Sequence, residues 1–405
     1  MSAPAPRPRS GFIDRLRGSA WLTSRIGYMI SLLMIFAGAA AYGRWLMGTS
    51  GGLDPTSMKP VAADFTSFWV AARTVIEGVP ATAYDLQRHT QAQLAALPYP
   101  PGASVPIVTW SYPPLFLAMV SPFGLLPLGW AFAAWIVLTT AFFVEVVRRI
   151  APNARFWLPQ LAALGFSGTQ DNLHYGQNGA LTAAMLGLGL WWLPKRPLAA
   201  GMCFAVLTCK PQLFLLLPVA LLAGRYYRAF WAALTFTLFL LGLSLLAFGA
   251  NTWVAFFGTV EWSRNALLDQ GDVVWGRMPS LFAALRLAGL PLSVAYAGQG
   301  LVTVLAAALL WVIWRSRAAY EIKAAAVVFA TVCATPYLLT YDLMLLGIGI
   351  VWLVREGVLR GFPPWSPLLI ALAWYSATIS DFAAPLGLPF VTLLCLATLG
   401  VLRRA

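Results

Sequence analysis

The sequence predicts an all-α polytopic membrane protein. Of 405 residues, 60% are hydrophobic and only 10% charged, too few charges to cover the surface of a soluble domain of that length. Apolar runs of about 20 residues recur along the chain, the length that crosses a bilayer as one helix. The 18 Trp and 13 Tyr suit a protein with many membrane–water interfaces, where amphipathic rings settle.

The net charge of +13 reports orientation rather than a nucleic-acid partner. Basic residues cluster in short connections, at Arg15, Arg17 and Arg25, at Arg148, Arg149 and Arg155, at Lys195 and Arg196, and at Arg403 and Arg404. Acidic residues gather in the alternate connections, among them Asp54, Asp64, Glu77, Asp85, Glu261, Asp272 and Asp342. By this topology roughly 19 of the 27 basic residues lie on one side and about 10 of the 14 acids on the other, so the basic side is cytoplasmic. The four cysteines (203, 209, 333 and 395) fall inside apolar runs without metal-ligand spacing and read as small buried hydrophobes.

Residues 1–24 read as a basic, Pro-rich cytoplasmic tail, and 25–405 as a single transmembrane domain. The first apolar run, 26–46, is long and lacks a small-residue cleavage site, so a spanning helix is expected rather than a cleavable signal. An outer loop over 48–112 follows. Within it Phe65, Phe68, Trp69, Ala72, Val75 and Ile76 recur at helical spacing. That helix is expected to lie along the membrane, with Thr66, Arg73 and Glu77 towards water and Gly78 ending it. Asp85 is placed to cap a second short helix running to about Leu97.

Residues 115–147 are too long for one span and carry Pro122 and Pro127. They predict a short embedded helix and then a span from about Leu128 to Val147. Spans are expected over 156–170 and 177–193, and a hairpin over 197–223 with its tip at Lys210–Pro211. An outward span over 229–249 leads to a polar outer loop, 250–279. Later spans are expected near 291–314, 322–337, 341–354, 366–380 and 386–402. The total is roughly twelve crossings with both termini inside, and no internal repeat is visible.

The remaining polar residues are the functional candidates, because an ionisable group at membrane depth costs several kcal/mol unless paired or used. Asp64 is the strongest, as a catalytic base. From local sequence alone it suits an N-cap better, accepting from Thr66 or Ser67 backbone N–H groups. In the run from His174 through Gln177 and Asn178 to Gly179, the side chains can bond sugar hydroxyls or cap a helix start. Tyr112 leads the chain back into the bilayer with Pro113 and Pro114 and is a further candidate for binding substrate. Lys210, in an otherwise apolar hairpin, is placed to neutralise a phosphate or to snorkel to the headgroups. Arg264 and Arg277 offer the same charge, or are solvated loop residues. Asp342 ends a Pro-broken turn, where it orients an acceptor or caps the next helix.

In this order — Asp64 before an amphipathic helix, Gly78 to Asp85, Ser111-Tyr-Pro-Pro-Leu115, Gly176-Gln-Asn178 and Lys210-Pro211 — the chain resembles glycosyltransferase family 87. The resemblance covers roughly residues 25–400. These are GT-C bacterial enzymes similar to polyprenyl-phosphate-mannose-dependent mannosyltransferases. It implies a GT-C bundle in the bacterial inner membrane, with the site facing the periplasm. It also implies a lipid-linked hexose donor and a lipid or glycan acceptor. Asp64 takes the family's base position and Lys210 that of its hairpin lysine. Some members carry a His near the late outer turn, where this chain has Tyr341–Asp342.

The implied mechanism is direct and inverting, with Lys210 and an outer-loop Arg stabilising the departing phosphate. No cofactor or metal is expected, since the phosphate has a cation and the acids form no ligand cluster. Nor does a Gly-rich strand-to-helix turn suggest a nucleotide-sugar fold. Two other classes fit the spans, a secondary transporter and a flippase for a lipid-linked saccharide. The transporter predicts charges mid-helix in several spans, whereas most here lie near the outer ends.

Overall fold

A computed structural model describes residues 63–97, 109–151, 158–271 and 275–374 (apart from 363 and 365), together with 29, 32–40 and 43. Among these residues the fold is helical throughout, with no strand. The expected first span is described only at 29, 32–40 and 43. The expected last span, residues 375–380 of the one before it, the tail and Cys395 lie outside the described residues.

Helix α1 spans Ala63–Ile76. Phe65, Phe68, Ala71 and Ala72 recur on one buried face, as helical spacing dictates. Gly78 ends it at φ +77°, a conformation that side chains resist. Thr66 and Ser67 are also buried, each 1% exposed, so the expectation that Thr66 faces water is corrected. The reason is tertiary. Helix α2, Leu86–Ala96, and a 3₁₀ turn, Pro80–Tyr84, pack over α1. The Ser121–Leu125 turn packs against α1 as well. Asp85 does cap α2, accepting from the Arg88 N–H at 3.0 Å.

The Pro-marked division of 115–147 is as expected. Helix α3 is Pro114–Val120, and after the 3₁₀ turn comes α4, Leu128–Ile150. The expected 156–170 span is instead two short helices, α5 (Leu158–Gly165) and α6 (Ser167–Tyr175), broken at Phe166. Gly176 at φ +68° turns the chain into α7, Gly179–Trp192. Helix α8, Pro197–Val206, is followed by a 3₁₀ turn and by Lys210, which stands between that turn and α9, Pro211–Phe214. Then comes α10, Leu217–Ala223.

Helix α11, Tyr227–Ser263, corrects the next expectation. Where a loop was predicted from 250, the chain kinks at Gly249 (φ +77°) and stays helical, passing into a π-helical turn, Arg264–Gln270. Beyond the kink, Phe256 meets the Tyr84 ring edge-on at 5.9 Å. The far half of α11 is thereby drawn over the Pro80–Tyr84 turn. The later helices are α12 (Leu281–Leu287), α13 (Leu292–Arg315), α14 (Tyr320–Ala334), α15 (Met344–Arg360) and α16 (Ser366–Trp374).

Three described helical stretches are long and apolar enough to cross a membrane: Leu128–Ile150, Tyr227–Gln270 and Leu292–Arg315. They carry large apolar side chains in the open, including Trp130, Phe239, Leu246 and Val304, a surface that suits lipid and not water. Among the described residues, roughly twelve full crossings are not confirmed. Pro and Gly cut several apolar runs into shorter helices, among them Pro114–Leu125, Gly179–Trp192 and Pro211–Ala223. Helices α7, α14 and α15 are mostly buried in one large core with α4 and α8. At the basic end, Arg355 bonds Glu321 at 3.2 Å and the last carbonyl of α4, Ile150, at 2.9 Å. Arg360 joins Glu321 and Glu356 there.

Candidate active site

The site forms where the first turn of α1, the α6–α7 bend, the Lys210 break and the Thr340–Leu343 turn converge. Asp64 is the second residue of α1, inside its first turn rather than before it. A carboxylate there is favoured by the helix dipole. One of its oxygens is held from another part of the fold: Gln177 Nε2 donates to Asp64 Oδ2 at 2.9 Å.

Gln177 is itself fixed on every side. Its Oε1 accepts from the Tyr112 hydroxyl at 3.0 Å and from the Asn178 N–H at 3.2 Å. Its backbone carbonyl accepts from Trp135 Nε1 at 3.3 Å. Gln177, expected from the sequence to bond a sugar hydroxyl, thus has both ends of its amide engaged within the protein. Its Nε2 fixes the position of the Asp64 carboxylate. Asn178 is the free amide of the pair. It is 0% exposed, and neither its Oδ1 nor its Nδ2 has a hydrogen-bond partner, which is costly unless a ligand or water completes it.

Lys210 and Asp342, read separately from the sequence, form one buried ion pair, Nζ to Oδ1 at 2.6 Å. The second Asp342 oxygen accepts from the Leu339 N–H at 3.4 Å. Lys210 also lies over the Tyr341 ring at 4.9 Å and the Tyr112 ring at 5.8 Å, so aromatic faces share its charge. Neighbouring Gly179 lets the Tyr341 backbone approach α7: a Cβ at 179 would collide with the Tyr341 carbonyl and with Asn172 Oδ1. Arg277 stacks on Tyr175 at 4.3 Å. His174 is partly exposed and sits edge-on to Tyr175 at 4.9 Å.

Burial pushes the Asp64 carboxyl above its ordinary pKa. The Gln177 bond and then the charges of Arg277 and Lys210 pull it back, while Asp342 adds to the rise. These four groups are thus within electrostatic reach of one carboxylate. Arg264 is not among them: it is exposed, bonds Asn265 and faces Asp269 at 3.8 Å. Sequence reasoning missed Trp135, Asn172 and Tyr175. Asn172 Oδ1 accepts from the Ala180 N–H at 3.3 Å and so closes the α6–α7 bend. The polar run Asp171–His174 inside an apolar span was the signal available for it. No group of three or more His, Cys, Asp or Glu able to hold a metal ion occurs among the described residues.

The model of glycosyltransferase family 87 matches residues 110–341, more than half of the chain. The chain belongs to glycosyltransferase family 87. It is therefore a glycosyltransferase, and its long apolar helices make it a membrane glycosyltransferase. Membership implies a sugar donor and a glycan or lipid acceptor. No curated protein and no solved structure matches the chain. The family 87 match contains Tyr112, Gln177, Asn178, Lys210 and Arg277, but Asp64 precedes it and Asp342 follows it by one residue. The fold, and not the family match, joins Asp64 to the rest.

Proposed function

We propose that this protein transfers a mannose-like hexose from a polyprenyl-phosphate donor to a lipid or glycan acceptor, with inversion, and with Asp64 as general base. One observation carries the reading. A carboxylate whose pKa is raised by burial is held by Gln177, with the Lys210 and Arg277 charges within electrostatic reach. A base and a phosphate-binding cation in one cluster are what direct displacement of a phosphate requires.

Asp64 takes the proton of an acceptor hydroxyl as its oxygen forms a bond to the anomeric carbon. The bond from that carbon to the phosphate oxygen breaks, and the electron pair leaves with the polyprenyl phosphate. Lys210 has three N–H donors, of which Asp342 takes one, leaving two for phosphate oxygens. Arg277 adds a second charge, so Arg264 is not needed. Asn178 meets a hydroxyl of the transferred sugar, with His174 and Tyr112 bordering the same space. Asp342 serves by holding Lys210. Residues 25–405 act as one domain in the bacterial inner membrane, with the site on the periplasmic side and both termini cytoplasmic.

The test uses purified protein in lipid with a radiolabelled polyprenyl-phosphate hexose and a panel of lipid acceptors. Asp64→Asn should lower transfer by about 10²–10⁴-fold, the scale of a lost general base. Lys210→Ala should raise the donor KM most. Equal transfer by wild type and Asp64→Asn to every acceptor would refute the base assignment.

A further inference from the structure

Arg277, which joins Lys210 as a cation near Asp64, stands in a 3₁₀ turn of three residues, Trp275–Arg277. The turn is closed by the Met278 N–H donating to the Trp275 carbonyl at 3.1 Å. So short a piece has little stability of its own, and its place must come from what surrounds it. On one side the footing is aromatic. Arg277 lies over Tyr175 at 4.3 Å, Tyr175 neighbours Tyr341 at 6.4 Å, and Tyr341 carries Lys210 at 4.9 Å. Both cations thus stand on one pair of neighbouring rings, and a shift of the turn would take Arg277 off it.

On the other side the turn is backed by a further cation. The Arg286 guanidinium, from the last turn of α12, lies over the Trp275 ring at 4.5 Å. Its Nη1 donates to the Leu290 carbonyl at 2.9 Å and its Nη2 to the Asp269 carbonyl at 3.4 Å. A planar guanidinium can stack on a ring and still donate from its edge. The Trp275 indole N–H donates to the Leu268 carbonyl at 3.0 Å. Asp269 is tied in turn to α13, its Oδ1 accepting from the Tyr296 hydroxyl at 2.7 Å. Trp275 is thereby clamped between the π-helical turn and α12. The charges that act on Asp64 are those of Arg277, Lys210 and Asp342, and Arg286 is not among them.

We propose that Arg286 is a positioning residue for transfer: by stacking on Trp275 and bonding the Asp269 carbonyl, it holds Arg277 over Tyr175, beside the departing phosphate. The inference rests on the reading of Arg277 as a phosphate-binding charge, and it adds a residue that acts through Arg277 and not on substrate.

The test compares wild type, Arg286→Met, Arg277→Gln and the double variant, each as the full chain in nanodiscs with the radiolabelled polyprenyl-phosphate hexose. Arg286→Met should raise the donor KM about five-fold or more, a fraction of what losing a whole donor to a developing charge costs. The acceptor KM should stay unchanged, and the acid limb of kcat/KM should move to higher pH as it does in Arg277→Gln. A merely structural loss would lower the amount of active protein, and so kcat, without moving either quantity. In the Arg277→Gln background Arg286→Met should change neither further, because the two residues act in series. Should Arg286→Met not fold, Tyr296→Phe, which removes one hydroxyl from a side chain that is 36% exposed, takes its place with the same expected signs. The inference is overturned if the folded variant keeps the donor KM and acid limb of wild type, or if its effect persists undiminished in the Arg277→Gln background. Should Arg277→Gln itself keep the wild-type donor KM, the phosphate role of Arg277 fails and the inference with it. A failure confined to the Arg286 variant leaves that role standing.

Discussion

At the scale of single residues, the site is a balance of charge around one partly buried carboxylate. Burial raises the Asp64 pKa, while Gln177, Arg277 and Lys210 lower it. A base works only when deprotonated, so transfer should rise with pH through that elevated pKa, with its acid limb above the ordinary carboxylate range. Removing a nearby cation disfavours the carboxylate. Arg277→Gln should therefore move the limb to higher pH, which a kcat/KM profile from pH 4 to 9 would show. An unmoved limb would mean that Arg277 does not act on Asp64. The Lys210–Asp342 pair makes a second prediction. Removing one partner of a buried pair costs about 3–5 kcal/mol, whereas replacing both with apolar groups is near neutral. Lys210→Met should lower the melting temperature, and Lys210→Met with Asp342→Leu should restore it without restoring transfer. Recovery of activity in the double variant would show the pair to be structural only.

At the scale of elements, α1 is held by what packs over it. Its Phe68 ring meets Trp110, Tyr112, Phe116 and Trp135 edge-on at 5.3–5.8 Å, contacts worth about 0.5–1.5 kcal/mol each beyond burial. Those rings fix the turn that carries Asp64. On the same helix Ser67 reaches His89 of α2, whose pKa burial lowers to about 4. Unfolded, that imidazole takes its proton near pH 6.5. Below pH 6.5 the unfolded state therefore binds more protons, and stability falls as pH drops from 6.5 towards 4. The loss reaches at most about 3 kcal/mol. His89→Phe should flatten the fall of melting temperature across that window. A slope equal to wild type would remove His89 as its cause. The sequence made the capped start of α2 legible, because Asp85 caps through its own neighbours. It could not show that Thr66 is covered, because the cover comes from residues 80–96 and 121–125.

At the scale of the whole molecule, lipid-facing and protein-facing helices divide the work. Helices α4, α11 and α13 leave apolar side chains in the open, while α7, α14 and α15 are buried among them. Chain composition alone reads both kinds as spans, which is why roughly twelve crossings were expected. The orientation has its own test. In intact cells a membrane-impermeant thiol reagent should label Glu77→Cys and should reach Lys195→Cys only after permeabilisation. The reverse pattern would invert the molecule and move the site to the cytoplasm.

The sequence by itself determined the membrane class, the family and the identity of most polar residues in the site, because composition and local motifs carry that information without knowledge of contacts. Tertiary structure alone decided what those residues do to one another. Asp64 and Gln177 are 113 positions apart, and Lys210 and Asp342 are 132 apart. No local pattern encodes either bond. Both form because α1, the α6–α7 bend, the Lys210 break and the Thr340–Leu343 turn are brought together by helices packed elsewhere in the core.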